Sequence, residues 1–178
     1  MAHPVGMKTR RSITGLKTVN SSVILTKEYR LERNGMDMND YEQAMKEINR
    51  LFGRDYQFAM ATTGEAGPSI RFVDTYYTDG AFYIVTNRQS HKAKDTAADP
   101  RASLCGRKLH TFTGRVENIG HPLQAENDAI RARLIEVFAP WYFRHNNEEN
   151  PDMCYLRFTP ETGFFQDGGK GWHVDFST

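Results

Sequence analysis

Cysteine is scarce in this chain: Cys105 and Cys154 are the only two among 178 residues. Two thiols in a chain of this size do not make a disulfide framework. The simplest reading is a pair of buried free thiols, each inside a predicted strand, in a reducing compartment, so a cytoplasmic location is expected. No stretch approaches the ~20 apolar residues of a membrane span, and the start lacks the apolar core of a secretory signal. Excess charge is missing too. With 23 Lys or Arg against 22 Asp or Glu the net charge is +1, so nothing global points to nucleic acid or acidic lipid. The six histidines (His3, His91, His110, His121, His145, His173) include no pair at HxxxH spacing, and the cysteines form no CxxC. No metal site is expected. GxSxG and P-loop patterns are absent, and without GxGxxG a Rossmann dinucleotide site is not expected. Repeats and low-complexity tracts are also lacking.

What remains is ordinary for a globular protein: 39% hydrophobic and 25% charged residues, enough for one domain with a sizeable core. The charge is unevenly spread. Residues 1–35 hold seven Lys or Arg and two acids, net +5, so the other 16 cations and 20 acids leave the rest at −4. This basic arm has no sustained periodicity. Its composition suits an organelle transit segment, a disordered tail, a cloning remnant, or translation from a start upstream of Met36 or Met38. It is expected to lie outside a core domain of residues 36–178.

The first element is a helix capped by Asn39 or Asp40. Tyr41, Ala44, Met45, Ile48, Leu51 and Phe52 recur at three- and four-residue spacing, and Gly53 ends it. Strands follow over 57–63 and 69–78, and Asp79-Gly80 closes a tight hairpin onto 81–86, because Asp-Gly suits a type I′ turn. Ser90 is a good N-cap for a helix that stops before Asp99-Pro100. Strands are expected over 101–106 and 110–119. Pro122 then opens a long amphipathic helix striped with Ile130, Leu134, Val137 and Phe138, ending at Pro140. After the aromatic cluster 141–143 and a polar loop over 144–151, strands are expected over 153–159, from 163, and over 172–176. Six or seven short strands with three helices suggest a mainly β protein: a closed antiparallel barrel with helices at its openings.

The hairpin has a register. With Asp79 and Gly80 as loop residues, Thr78 faces Ala81 and Val73 faces Thr86. Arg71, Val73, Thr75, Tyr77, Phe82, Ile84 and Thr86 then share one side, and Ile70, Phe72, Asp74, Tyr76, Tyr83, Val85 and Asn87 the other. Both faces carry apolar groups, so one should fill a core and the other meet a ligand or a second subunit. Arg71 and Thr86 would lie near the turn Ser90-His91-Lys92. Two basic residues with free backbone N–H groups at a helix start make an anion site, most naturally for phosphate. A solvated helix start with incidental cations is the bland alternative. Asp74 reads best as a structural carboxylate. Trp141 and Trp172 read as packing residues that could also stack on a flat ligand.

These pieces carry a resemblance. Ala61-Thr62, Gly67-Pro68, Arg71-Phe72-Val73, Asp79 to Asn87, Ser90 to Lys94, Asp99 to Leu104 and Gly114 to Glu117 resemble, in order and spacing, the pyridoxamine 5′-phosphate oxidase-like family of FMN-binding split β-barrels. The resemblance covers most of residues 40–120. It implies a homodimer with two FMN sites at the subunit interface. It places Arg71, Phe72, Val73, Asp74, Val85, Thr86, Asn87, Ser90, His91 and Lys92 around FMN, with Arg71, Thr86, Ser90, His91 and Lys92 at the phosphate and the backbone of Phe72 and Val73 beside the isoalloxazine. Three departures separate it from the true oxidase. His91 stands where an Arg is usual, Asp74 and Tyr76 where an apolar residue and a Lys are usual, and the C-terminal Arg-x-His motif is absent. The chain thus resembles the uncharacterised or nitroimidazole-reductase-like branch more closely.

The expectation is a cytoplasmic, homodimeric FMN-dependent oxidoreductase acting on a small molecule. Its flavin would carry the electrons, and no side chain need act as acid or base. Tyr76, Trp141, Tyr142 and Trp172 are substrate-side candidates. The alternative is a non-catalytic flavin- or haem-binding or sensing protein on the same barrel. Haem would need an axial ligand, for which His110, His145 and His173 are the donors.

Overall fold

The computed structural model describes residues 38–176, so the basic arm expected over residues 1–35 lies outside the described residues. Four helices and seven strands follow one another along the described residues. Helix α1 (Met38–Phe52) precedes β1 (Tyr56–Gly64), β2 (Gly67–Thr78) and β3 (Ala81–Asn87). Helix α2 (His91–Ala98) leads to β4 (Arg101–Cys105) and β5 (Thr111–Asn118). A 3₁₀ turn (Ala125–Asn127), α3 (Asp128–Val137) and the single-turn α4 (Tyr142–His145) come next, then β6 (Met153–Asp167) and β7 (Lys170–Asp175). The strands run β3-β2-β1-β4-β5-β6-β7, and β3 also pairs with β6. That extra pairing closes the first six into an antiparallel barrel, with β7 continuing along the far half of β6. The protein is mainly β, a split barrel with flanking helices, as the strand pattern suggests.

Alternation along the strands builds the interior. Val73, Thr75, Tyr77, Phe82 and Ile84 are buried on one side of the hairpin, as its period-2 register requires. They meet Phe58, Met60, Leu104, Phe112, Val116, Leu156, Phe158 and Phe165 from the other strands. Helix α1 plugs an opening with Ala44, Ile48, Leu51 and Phe52. The Phe52 ring sits edge-on to Tyr56 at 4.9 Å and to Phe112 at 5.5 Å, the geometry that aromatic quadrupoles favour.

A second, smaller core lies outside the barrel wall. Leu134 and Phe138 of α3 and Tyr142 of α4 pack on Met153 and Tyr155, with Tyr76, Tyr83 and Val85 beside them. Polar bonds clamp this layer. Arg131 donates to both oxygens of Glu148 at 2.8 and 2.6 Å. The Tyr142 hydroxyl donates to Glu148 at 2.9 Å and also meets the Tyr155 hydroxyl. Burial comes first among the causes that push both phenols above the ordinary tyrosine range, Tyr155 to about 12, so both stay neutral.

The hairpin turn forms as its residues require. Asp79 and Gly80 have φ of 50° and 81°, which fits the type I′ geometry that Asp-Gly tolerates. The register departs from expectation farther out. β2 and β3 pair only at Tyr76–Tyr83, Tyr77–Phe82 and Thr78–Ala81. Beyond these, β3 keeps its bonds to β6, where Thr86 faces Cys154, while β2 stays with β1. Val73 therefore does not face Thr86; the strands splay, and this gap is the split in the barrel. The outer hairpin face also divides. Helices cover Tyr83 and Val85, whereas Ile70 and Phe72 remain 73% and 68% exposed.

Three other expectations are corrected. The strands expected over 153–159 and from 163 are one 15-residue strand, β6. Pro160 is tolerated because the register slips there: Gly114 faces Pro160 and Thr113 faces Thr162, leaving Glu161 as an extra residue, a bulge that excuses the missing N–H. The helix expected from Pro122 starts at Asp128. Buried Asn127 donates to the Ile119 and His121 carbonyls, both at 2.9 Å, which holds residues 119–127 in a loop. Cys154 is buried, but Cys105 is exposed at the end of β4.

Candidate functional site

The gap between β2 and β3 is a cleft of about 530 Å³. Phe72, Val73 and Asp74 line it from β2 and Ile84 and Val85 from β3. Lys92 of α2, Asp55 of the α1–β1 loop, and Trp141, His145 and Asn146 around α4 complete it. The β2 edge is unpaired with β3 along this stretch, so its N–H and C=O groups are available to a ligand. Val73, Ile84 and Val85 are the cleft's aliphatic lining residues.

A cationic corner adjoins the cleft at the start of α2. Asn87 shapes the turn, accepting from Gln89 N at 2.7 Å through Oδ1 and from Ser90 N at 3.0 Å through its carbonyl. Ser90 caps the helix, its hydroxyl accepting from Ala93 N at 3.4 Å. The Ser90 and Thr86 hydroxyls stand 3.3 Å apart. The first turn of α2 contains no acid, so its N–H groups and positive dipole end are not already neutralised.

The two cations differ in their partners. Arg71 donates to Thr62 Oγ1 at 2.5 Å, reaches Asp95 Oδ2 at 3.3 Å and also donates to Ser69. The Thr62 hydroxyl in turn donates to Asp95 Oδ2 at 2.7 Å. Lys92 is half-buried and forms no ion pair among the described residues. Burial, and then the Arg71 charge beside it, hold its ammonium below the ordinary lysine range. A partly dehydrated cation next to another cation is a site that an anion relieves.

The structure thus brings Arg71, Thr86, Ser90 and Lys92 to one corner and Phe72, Val73, Asp74, Val85 and Trp141 to the adjoining cleft. His91 is exposed at the first position of α2. Tyr76 packs in the outer core. Tyr142 is fully buried there, and Trp172 lies in the barrel core stacked on Phe165 at 5.5 Å; neither lines the cleft. Of the three histidines, His110 is buried with both ring nitrogens engaged, by Tyr56 at 3.1 Å and the Gln166 carbonyl at 3.0 Å. His173 sits on β7 against Phe164, and His145 alone of the three lines the cleft. Sequence reasoning did not single out Asp55, Asn146 or Asp95, whose roles come only from tertiary neighbours.

A larger cleft of about 660 Å³ lies between α3 and the β5–β6 edge. Its guanidiniums already have carboxylate partners, Arg133 with Asp79 and Arg157 with Glu117. The β2–β3 cleft is the better candidate because its lysine does not.

Comparison with known proteins agrees with this architecture. Residues 44–167 match the family Pyridoxamine 5′-phosphate oxidase. The chain belongs to the pyridoxamine 5′-phosphate oxidase family. A curated relative, the pyridoxine/pyridoxamine 5′-phosphate oxidase of Anaeromyxobacter dehalogenans (strain 2CP-C), is 49% identical over 49 residues. That match spans 26% of this chain and only 25% of the relative. Among solved structures, a NimC/NimA family protein from Clostridium acetobutylicum aligns with TM-score 0.55 and 21% identity, over 76% of this chain and 96% of that one. An FAD-binding protein from Mesorhizobium loti aligns with TM-score 0.51 and 16% identity, over 66% and 89%. HutZ, the haem storage protein of Vibrio cholerae, aligns with TM-score 0.54 and 16% identity, over 71% and 94%. At these identities the structures share the fold. No described helix is long and apolar enough to cross a membrane.

Proposed function

We propose that this chain is an FMN-binding oxidoreductase whose substrate is a small molecule. The observation that carries the reading is Lys92: half-buried, beside Arg71, without a carboxylate partner among the described residues, at the mouth of the β2–β3 cleft. Lys92, the α2 N-terminus and the Thr86 and Ser90 hydroxyls would hold the phosphate. Arg71 would add its charge from the frame that Thr62, Ser69 and Asp95 give it. The unpaired edge of β2 at Phe72–Asp74 would receive the polar rim of the ring system, and Ile84 and Val85 would exclude water from its face. When bound, the flavin supplies the electron transfer; the chain supplies position and electrostatics.

A homodimer belongs to this reading. Exposed Ile70 and Phe72 sit on β2 at the edge of the cleft, and a second copy would cover them and close the site. The relative that binds FAD supports a flavin on this fold. Haem is the second reading, favoured by one observation: His145 lines the same cleft. An absorption spectrum of the purified protein separates the two. Flavin bands at about 370 and 450 nm are expected, and a Soret band that disappears in His145→Ala would overturn FMN in favour of haem.

A further inference from the structure

Away from the cationic corner, the same cleft changes sign. Asp55 and Asp74 both line it, together with Trp141. Trp141 Nε1 donates to Asp55 Oδ2 at 2.7 Å, and Gln57 Nε2 donates to Asp74 Oδ1 at 3.2 Å. Both donors are neutral. Neither carboxylate forms an ion pair among the described residues. Burial holds the Asp55 carboxyl above its ordinary range; the indole bond opposes this and the Asp74 charge adds to it. The two acids are therefore close enough to repel each other, and a cation between them relieves that repulsion.

The wall beside them suits an organic cation. The Trp141 ring is fixed by stacking on Phe138 at 4.4 Å and by its bond to Asp55. It stays half-buried at the cleft, where indole rings attract cations. In the FMN reading Lys92 is engaged by phosphate, so the charge left to meet a substrate is that of two carboxylates.

We propose that the substrate of this site is a flat organic cation seated against Trp141 and the Asp55–Asp74 pair, and that phosphate esters and carboxylates are rejected there. The proposal rests on the FMN reading above. It makes Asp74, where the true oxidase is expected to carry an apolar residue, a determinant of specificity. Binding would need no covalent step, only exchange of water around the carboxylates for the ligand's charge.

Three probes of nearly one shape test it: the 1-methylnicotinamide cation, neutral nicotinamide and the nicotinate anion. Each is titrated by calorimetry into FMN-loaded protein at pH 8, where imidazoles are ordinarily neutral. The cation should bind at least roughly tenfold tighter than nicotinamide, and nicotinate weakest. The double variant Asp55→Asn, Asp74→Asn, reconstituted with FMN and compared with the wild type at equal flavin content, should erase the order. Nicotinate binding as well as the cation, no cation binding at millimolar concentration, or an unchanged order in the double variant each overturn the proposal. Flavin uptake is read separately by absorbance, so loaded protein that does not discriminate refutes the cation site alone. Protein that takes up no FMN overturns the reading beneath it.

Discussion

Arg71 and Asp95 form a half-buried pair, with side chains 21% and 13% exposed, while Lys92, three residues before Asp95 on the same helix, has no carboxylate partner among the described residues. That division follows from direction. Asp95 reaches β1 at Thr62, where Arg71 arrives from β2. The two thiols differ in a similar way. Cys105 is exposed, and burial pushes the Cys154 thiol up, which starves it of thiolate. A maleimide should therefore label one thiol quickly in the native protein and two after denaturation. Two fast labels on the native fold would show that β6 is open at Cys154. At this scale the corner was legible in part: the N-cap serine and the basic first turn are local signals, whereas the hairpin register expected to bring Arg71 toward Thr86 does not hold. Asp55, Asn146 and His145 were not assigned to this cleft, because no local pattern links residues 55, 74, 92 and 145. Trp141 and Trp172 looked equivalent in sequence, yet Trp172 shares the inward face of β7 with Val174.

Strand β6 shows where local punctuation misleads. Pro160 and Gly163 suggest two strands, but both halves stay bonded to β5 across the bulge. Gly114 makes the bulge possible. A Cβ there would lie 2.2 Å from the Thr159 carbonyl oxygen and 2.8 Å from Pro160 Cα. Gly114→Ala should therefore cost about 1–3 kcal/mol through overpacking, measured by denaturant unfolding. An unchanged midpoint would mean that β5 and β6 can part at this point without loss. The other β-strands and α2 were readable because their alternation and caps are local. The start of α3 was not, since its boundary is set by what buried Asn127 bonds to. The splay of β2 from β3 was invisible for the same reason: β3 has a second partner, β6, whose nearest paired residue in the chain is more than 60 positions away.

At the largest scale the described residues form a closed barrel whose split provides the cleft, with an apolar strip, Ile70 and Phe72, exposed beside it. In solution the protein should sediment at roughly twice 20.4 kDa, with an interface of more than ~2,000 Å². Phe72→Asp should give a folded monomer that holds flavin poorly. A monomeric wild type at micromolar concentration would remove the shared-site picture. The central claim, that Lys92 and its neighbours receive a phosphate at the mouth of the cleft, is tested most directly by titrating apoprotein with FMN and with riboflavin, followed by flavin fluorescence. A hydrogen bond to a charged group is worth ~1.5–3 kcal/mol, so Lys92→Ala should weaken FMN by roughly 10- to 150-fold. Riboflavin, which has no phosphate, should bind the variant as it binds the wild type. Equal losses for both ligands, or no loss for either, would contradict the account.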